Sequence, residues 1–258
     1  MKKKDGQYIN SIIRAIDILN LYTSNKTHYG VTEISKNLNL PKTTIFRIIK
    51  TLEEKGWLVK DEPTNKYKLG FEILNVASSV VRNYSYNDII IEEMKKLAEE
   101  YNESVFLHVY DDYAARCIQK IEMQNYIKIS SEIGKKSPLH VGASSKIILA
   151  YQKPEIINYI ISQGLPKYTN QSIIDGDELL EDLAEIRRLG YSISFGEIDL
   201  DVTAIAAPIL YNEELLYGLS IIAPTSRILI KGVEEMKNTL LYSTERICQR
   251  ISIIEQLR

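Results

Sequence analysis

Residues 31–69 decide the fold of the N-terminal region, and they read VTEISKNLNLPKTTIFRIIKTLEEKGWLVKDEPTNKYKL. Pro41 suits the first turn of a helix because its backbone angle φ is fixed, and Gly56 supplies the left-handed residue at which a helix ends. These two residues predict one helix over residues 41–55. Apolar side chains recur within it at helical spacing and form one face for packing inward. The residues of this face are Ile45, Ile48, Ile49 and Leu52.

The opposite side of this helix carries hydroxyl and cationic side chains, which suit the major groove of DNA. Base edges there offer hydrogen-bond donors, acceptors and thymine methyl groups. The residues expected to contact DNA are Lys42, Thr43, Thr44, Phe46, Arg47 and Lys50 on this helix, and Lys66 after it. Taken alone, the pattern favours an ordinary amphipathic surface helix with a solvated cationic face.

The flanking sequence shifts the balance towards DNA binding. Residues 31–38 predict a short helix with Thr32 as its N-cap, and only two residues separate it from Pro41, which is the spacing of a helix-turn-helix. Two short strand patterns follow, WLVK and KYKLG, joined by the turn sequence DEPTN. A further helix is predicted upstream, with an apolar stripe expected to pack behind the pair: Ile9, Ile12, Ile13, Ile16 and Leu19. Three helices and a hairpin predict a winged helix-turn-helix.

Length and charge indicate two domains with different tasks. The chain has 258 residues, and its net charge of −2 hides an asymmetry, because residues 1–70 carry a balance of +6 and the remainder −8. A basic N-terminal domain is typical of a nucleic-acid binder. The two cysteines, Cys117 and Cys248, lack metal-ligand spacing, and no secretory signal or membrane-spanning apolar run is present. We expect a cytoplasmic protein without membrane contact, metal or cofactor.

The rest of the chain mixes helices and strands without regular alternation, so we expect an α+β fold. The boundaries expected are a DNA-binding domain over residues 1–70, a linker helix over 71–87 and a second domain over 88–258. The linker helix has an apolar stripe that suits a connector or a dimer contact: Ile73, Ala77, Val80 and Tyr84. Strand patterns occur at residues 104–109, 115–121, 126–130, 191–195, 203–210 and 214–223.

Seven ordered segments of the chain resemble the IclR family of transcriptional regulators. They are RAIDILNLY (14–22), LPKTTIFRIIKTLEEKGWL (40–58), KYKLG (66–70), SPLHVGASSKIILA (137–150), GYSISFGEID (190–199), AIAAPIL (204–210) and SIIAPTSRI (220–228). The resemblance implies a winged helix-turn-helix, a linker helix and an effector-binding domain with a curved antiparallel sheet like those of GAF and PAS sensors. It also implies operator binding as a homodimer or a dimer of dimers.

The resemblance further implies an effector pocket built from four of these segments. Carried across by position, the pocket residues are Leu139, Ala143, Ser144, Ser194, Val202, Ala204 and Ser220. The turn from Gly142 to Ser145 directly precedes a predicted helix, whose backbone N–H groups suit a small carboxylate. The pocket has no obvious cation, since Lys146 is expected to lie one residue inside the helix. Without the family context, the same turn favours a simple helix cap under close packing.

Two other functions remain as alternatives to an effector-controlled regulator. An enzyme would need a nucleophile and a base, and the single cluster of interest is His140 beside Ser137, Ser144 and Ser145. The Gly-x-Ser-x-Gly nucleophile motif is absent, so no catalytic residue is expected. The second alternative is an architectural DNA-binding protein that dimerises and takes no ligand. Repressor and activator cannot be distinguished from the residues.

Overall fold

The computed structural model describes residues 8–23, 26–82, 86–123 and 132–256. It divides into two compact units, Met1–Ser85 and Tyr86–Arg258. Each unit has its own core and is described by itself. Among the described residues, no helix is both long and apolar enough to cross a membrane.

The N-terminal unit consists of helices and one hairpin. Its elements are α1 (Asn10–Asn20), a 3-10 turn (Leu21–Thr23), α2 (Val31–Leu38), α3 (Lys42–Glu54), β1 (Leu58–Asp61), β2 (Lys66–Leu69) and α4 (Glu72–Arg82). β1 and β2 pair in antiparallel fashion, and an isolated bridge joins Tyr29 to Tyr67. The expected winged helix-turn-helix is confirmed.

The turns around α3 follow from its flanking residues. Asn39 takes a left-handed conformation after α2, and Pro41 is the N-cap residue of α3. Gly56 has a φ of +73° beyond the C-terminus of α3, where a residue without a side chain is favoured. The backbone N–H of Trp57 bonds back to the carbonyl of Leu52 at 2.8 Å. The helix therefore ends abruptly and directs the chain into the hairpin.

The prediction for α1 is wrong in its orientation. Ile12, Ile13 and Ile16 were expected to face the core, yet they are 54%, 41% and 51% exposed. The helix instead buries Ile18 completely, together with Tyr22 just beyond its end. Helical spacing identifies an apolar stripe but not its partner: Leu19 of the predicted stripe packs against the core, whereas its isoleucines lie on the surface of the described unit.

The predicted N-cap of α2 is also wrong. Gly30, not Thr32, is the N-cap residue of α2, and the carboxylate of Glu33 accepts from its backbone N–H at 2.8 Å. Glu33 thus satisfies the backbone donor of the N-cap residue from its position in the first turn of α2.

The C-terminal unit is an antiparallel sheet covered on both faces. Its helices are α5 (Asn87–Tyr101), α6 (Ala143–Ala150), α7 (Pro154–Ser162), α8 (Gly176–Leu189), α9 (Thr225–Lys231) and α10 (Val233–Gln256). Its strands are β3 (Ser104–Tyr110), β4 (Ala115–Ile121), β5 (Lys136–Ser137), β6 (Ser192–Phe195), β7 (Val202–Tyr211) and β8 (Glu214–Pro224). The strand order is β5-β4-β3-β8-β7-β6, and α9 and β5 were not expected. The strand predicted at residues 126–130 lies outside the described residues.

Helix α6 packs directly on the middle of this sheet. A side chain at Gly218 of β8 would meet the Ser144 carbonyl oxygen and Ile148 Cγ1, each at 3.4 Å, so the bare backbone of the glycine permits the close approach. Helix α8 packs beside α6, and both contribute to one apolar cluster with β7. α5 and α10 pack against the other face. The face under α6 carries the predicted effector residues.

Candidate functional site

The exposed side of α3 carries the residues predicted to contact DNA. Ile45 and Ile49 are fully buried in the N-terminal core. Across the helix from them, Lys42, Thr43, Phe46, Arg47 and Lys50 are exposed and Thr44 is half-buried. The division into two faces therefore follows the predicted helical spacing.

The two long cations of this face differ in their contacts. Lys50 Nζ lies 2.7 Å from Glu53 Oε2 and 5.9 Å from the centre of the Phe46 ring. The hydrogen bond to Glu53 raises the pKa of Lys50 above its ordinary value. Among the described residues, no carboxylate pairs with Arg47. Arg47 therefore offers the freer charge, and Phe46 offers an exposed apolar surface next to it.

Lys66, in the β1–β2 hairpin that forms the wing, has its charge partly neutralised by Glu33 of α2. Lys66 Nζ lies 3.7 Å from Glu33 Oε2, and Lys26 Nζ lies 2.7 Å from Glu33 Oε1. The Gly30 N–H and then Lys26 lower the pKa of Glu33 to about 2. Lys66 thus shares an ionised carboxylate with Lys26, which reduces the charge that it presents.

The predicted effector residues lie on or beside the sheet face under α6. Leu139, Ala143 and Ala204 belong to one buried apolar cluster. Ser144 Oγ donates to Ser220 Oγ at 2.7 Å, which joins α6 to β8. Directly opposite residues of an antiparallel sheet share a face, and the relevant pairs are Ser194 with Ala204, Val202 with Pro224, and Ala206 with both Ser192 and Ser220. Val202 is half-buried at the end of its strand.

A carboxylate of the protein itself occupies the N-terminus of α6, and sequence reasoning missed it. The Gly142 N–H donates to Glu197 Oε2 at 2.8 Å, and Lys146 Nζ lies 2.6 Å from Glu197 Oε1. Lys146 Nζ also lies 3.0 Å from Asp182 Oδ2 on α8, with its side chain 3% exposed. The expectation that the pocket lacks a cation was therefore wrong. Lys146 is buried at the site and is bound by two carboxylates.

The sequence indicates Lys146 as a member of this charged cluster but does not indicate Glu197. A lysine within the apolar helix sequence KIILA needs a carboxylate partner if it is buried. Glu197 follows Gly196 in the segment after β6, 51 residues from Lys146. Its backbone carbonyl accepts from Ser172 Oγ at 2.7 Å, and Thr169 Oγ1 donates to the Gly196 carbonyl at 2.6 Å. These tertiary contacts position Glu197, and no local pattern encodes them.

The histidines of this unit have different surroundings. His140 Nε2 lies 3.0 Å from the carbonyl oxygen of Pro166. His108, on β3, is buried, and its Nδ1 has no hydrogen-bond partner among the described residues. Burial lowers the pKa of His108 to about 4, so its ring is neutral at physiological pH. Ser144, one of the three serines considered together with His140, bonds to Ser220.

The fold and the exposed face of α3 define a winged-helix DNA-binding protein with a second unit built on an antiparallel sheet. Comparison with known proteins gives the family. The model of the IclR helix-turn-helix domain matches residues 11–62, and that of the bacterial transcriptional regulator IclR C-terminal domain matches residues 80–249. The chain belongs to the IclR family of DNA-binding transcriptional regulators.

Individual relatives match over nearly the whole chain. The HTH-type transcriptional regulator KipR of Bacillus subtilis is 28% identical over 239 residues, which cover 92% of each chain. The transcriptional repressor AllR of Escherichia coli is 27% identical and covers 83% of this chain and 80% of its own. The transcriptional repressor IclR of Escherichia coli is 26% identical, with coverage of 93% and 89%.

Solved structures share the fold. The IclR homolog of Microbacterium hydrocarbonoxydans, crystallised with 4-hydroxybenzoate, has a TM-score of 0.84 at 21% identity and covers 93% of this chain and 98% of its own. The Thermotoga maritima IclR has a TM-score of 0.80 at 24% identity, with coverage of 94% and 99%.

Proposed function

We propose that this protein is a cytoplasmic transcriptional repressor whose binding to a palindromic operator is controlled by a small organic acid. Residues 1–70 would bind the DNA, residues 71–87 would link, and residues 88–258 would bind the effector. The family assignment carries the DNA-binding part of the proposal, and the AllR and IclR relatives named as repressors support its direction.

The proposed DNA contact is the exposed face of α3 in the major groove. Arg47 would bond to base edges, and Thr43, Thr44, Phe46 and Lys50 would contact bases or phosphates beside it. Lys42 and Lys66 would contact phosphates, where a cation adds affinity without sequence preference. The burial of Ile45 and Ile49 behind this face supports the assignment.

The proposed effector site is the first turn of α6 and the sheet beneath it. Glu197 provides the supporting observation, because its carboxylate is already bound to the Gly142 N–H and Lys146 Nζ. The turn is therefore built to hold this chemical group, in line with the affinity of helix N-termini for anions. An effector carboxylate would bond to the next N–H groups, those of Ala143 and Ser144, and to the Ser144 and Ser220 hydroxyls. Leu139, Ser194, Val202 and Ala204 would enclose its short body.

The carboxylate of Glu197 next to this site implies modest affinity, because two like charges in one turn repel each other. The structural relative crystallised with 4-hydroxybenzoate, an aromatic hydroxy acid, is consistent with an acid effector for this fold.

We also infer a homodimer or a dimer of dimers. One winged helix makes too few base contacts for operator specificity. Large apolar side chains are exposed on α1 and α4 and at the residue before each helix, and a second copy would cover them: Ile9, Ile12, Ile16, Phe71 and Leu74. Of the stripe predicted on the linker helix, Ile73 is half-buried and Ala77 exposed, while the side chains of Val80 and Tyr84 lie outside the described part of the chain.

Calorimetry of the full-length protein with a panel of small keto, hydroxy and unsubstituted acids tests the effector assignment. The Ser144→Phe variant should lose acid binding and keep operator binding, because the bulky ring fills the site in the other unit. Ser162→Phe, at the exposed end of α7, is the matched control and should bind acids normally. Full acid binding in Ser144→Phe would show that the site is misplaced.

A further inference from the structure

His108 is a buried polar residue that is not among the residues of the proposed effector site. Its side chain is 5% exposed, and among the described residues its Nδ1 has no hydrogen-bond partner. A buried polar atom without a partner destabilises the fold, because it has lost its hydrogen bonds to water. Such an atom is a candidate contact for a bound molecule when it lies beside a proposed site.

The register of the sheet places His108 on the face that α6 covers. Phe106 pairs with Ser220, and His108, two residues further along β3, pairs with Gly218. The Phe106 and His108 rings lie 6.3 Å apart, as expected for residues on one face. His108 is thus a diagonal neighbour of Ser220, at about 7–8 Å between backbones, a distance that long and aromatic side chains can span.

The same face brings His108 close to α6. Its pairing partner Gly218 lies under the carbonyl of Ser144, and Ser144 Oγ bonds to Ser220. The Ser144–Ser220 hydroxyl pair and the unpartnered imidazole nitrogen therefore lie on one side of the sheet, at neighbouring residue pairs of that face.

We propose that His108 is a specificity-determining residue of the effector site, whose Nδ1 bonds to a hydroxyl or keto oxygen of the bound acid. This inference rests on the proposed acid effector. The carboxylate would lie at the first turn of α6, and the hydroxyl or keto oxygen of the same acid would reach towards β3. The favoured ligands are therefore acids that carry a hydroxyl or keto oxygen in addition to the carboxylate, rather than acids with a plain hydrocarbon body.

The chemistry of a neutral imidazole suits this role. Its pKa of about 4 leaves the ring uncharged at physiological pH, so it carries one N–H donor and one bare acceptor nitrogen. Either tautomer can bond to a hydroxyl, and the N–H form at Nδ1 can bond to a keto oxygen. Without a charge on the ring, the preference between two acids reflects this hydrogen bond rather than their carboxylates.

Matched pairs of acids with and without the second oxygen test the proposal. Binding of lactate against propionate, and of 4-hydroxybenzoate against benzoate, would be measured by calorimetry on the full-length protein. In at least one pair, the wild type should prefer the oxygenated acid by about tenfold, which corresponds to about 1.4 kcal/mol. His108→Phe should reduce this preference to within about twofold, and His108→Gln, which keeps a polar group, should restore part of it.

The Ser192→Ala variant is the control, because Ser192 is another buried residue of this face whose Oγ has no partner among the described residues. It should keep the preference. In case His108→Phe does not fold, nitrogen NMR of the wild-type histidines gives a second readout: the oxygenated acid should shift the ring nitrogens of His108, and its partner acid should not.

The possible results distinguish a wrong role for His108 from a wrong effector class. If acids bind but the preference is absent or survives in His108→Phe, or if the His108 nitrogens do not respond, the role of His108 is wrong and the acid effector stands. If no acid of the panel binds the wild type, the acid effector and the role of His108 are both wrong.

Discussion

Arg47 is the residue of α3 whose loss should affect DNA recognition most. It is exposed beside Phe46, and no described carboxylate competes for its guanidinium. Arg47→Ala should lower operator affinity by about 1–3 kcal/mol and relax the preference at one base pair. Fluorescence anisotropy with the operator and its single-base variants measures both effects.

Two comparisons make this test specific. Lys66→Ala should weaken binding to all sequences alike and flatten the salt dependence by at most about one unit, because Glu33 already shares its charge. Arg188→Ala removes the same charge from the C-terminal unit and should change nothing. Unchanged operator binding in the double variant Arg47→Ala, Lys50→Ala would rule out α3 as the reading helix.

Glu197 should limit the affinity of the effector site. Glu197→Gln keeps the size of the side chain and removes its charge, so a bound acid no longer meets a like charge and competes less for Lys146. Calorimetry should show acid affinity raised by about tenfold, or about 1.4 kcal/mol. The control Asp199→Asn changes an exposed carboxylate two residues away. Equal affinity in the wild type and Glu197→Gln would place the acid elsewhere.

At the scale of single elements, the wing depends on the close approach of two glycines. A side chain at Gly70 would overlap the carbonyl oxygen of Gly56, and the Gly70 N–H bonds to the carbonyl of Trp57 at 2.8 Å. Gly70→Ala should therefore destabilise the N-terminal unit by about 1–3 kcal/mol.

Trp57 is the single tryptophan of the chain, so urea unfolding followed by its fluorescence reports on the N-terminal unit alone. Gly30→Ala is the control, since the nearest atom to its new side chain would be 3.6 Å away, and its effect should be smaller. Equal stability of Gly70→Ala and the wild type would contradict the predicted overlap.

The elements differ in how far the sequence predicts them. Pro41, Gly56 and the spacing of Ile45 and Ile49 are local signals, and they predict α3 to within a residue at each end. The stripe of α1 is an equally clear local signal, but its environment depends on what packs against it. The ion pair of Lys146 and Glu197 depends wholly on tertiary contacts. The absence of a hydrogen-bond partner for His108 Nδ1 among the described residues likewise depends on how the chain packs around it. The buried charges beside the first turn of α6 therefore could not be predicted from the sequence.

At the scale of the whole molecule, the exposed isoleucines of α1 predict association. Replacing both Ile12 and Ile16 with glutamate puts charges into the proposed contact, where unpaired burial is costly. The variant should be monomeric at micromolar concentration by light scattering and should lose operator affinity. Ile174→Glu, an equally exposed position in the C-terminal unit, should leave both unchanged. If the variant remains a dimer, the interface does not include this face of α1.

The burial of Lys146 has a consequence for the order in which the C-terminal unit folds. Its partners Asp182 and Glu197 follow it by 36 and 51 residues, so their chain segments must close long loops before the ammonium group can leave water. The hairpin of β7 and β8 needs only the short turn between Tyr211 and Glu214 and can form early. Docking of α6, which brings Lys146 to these two carboxylates, therefore follows the formation of this hairpin.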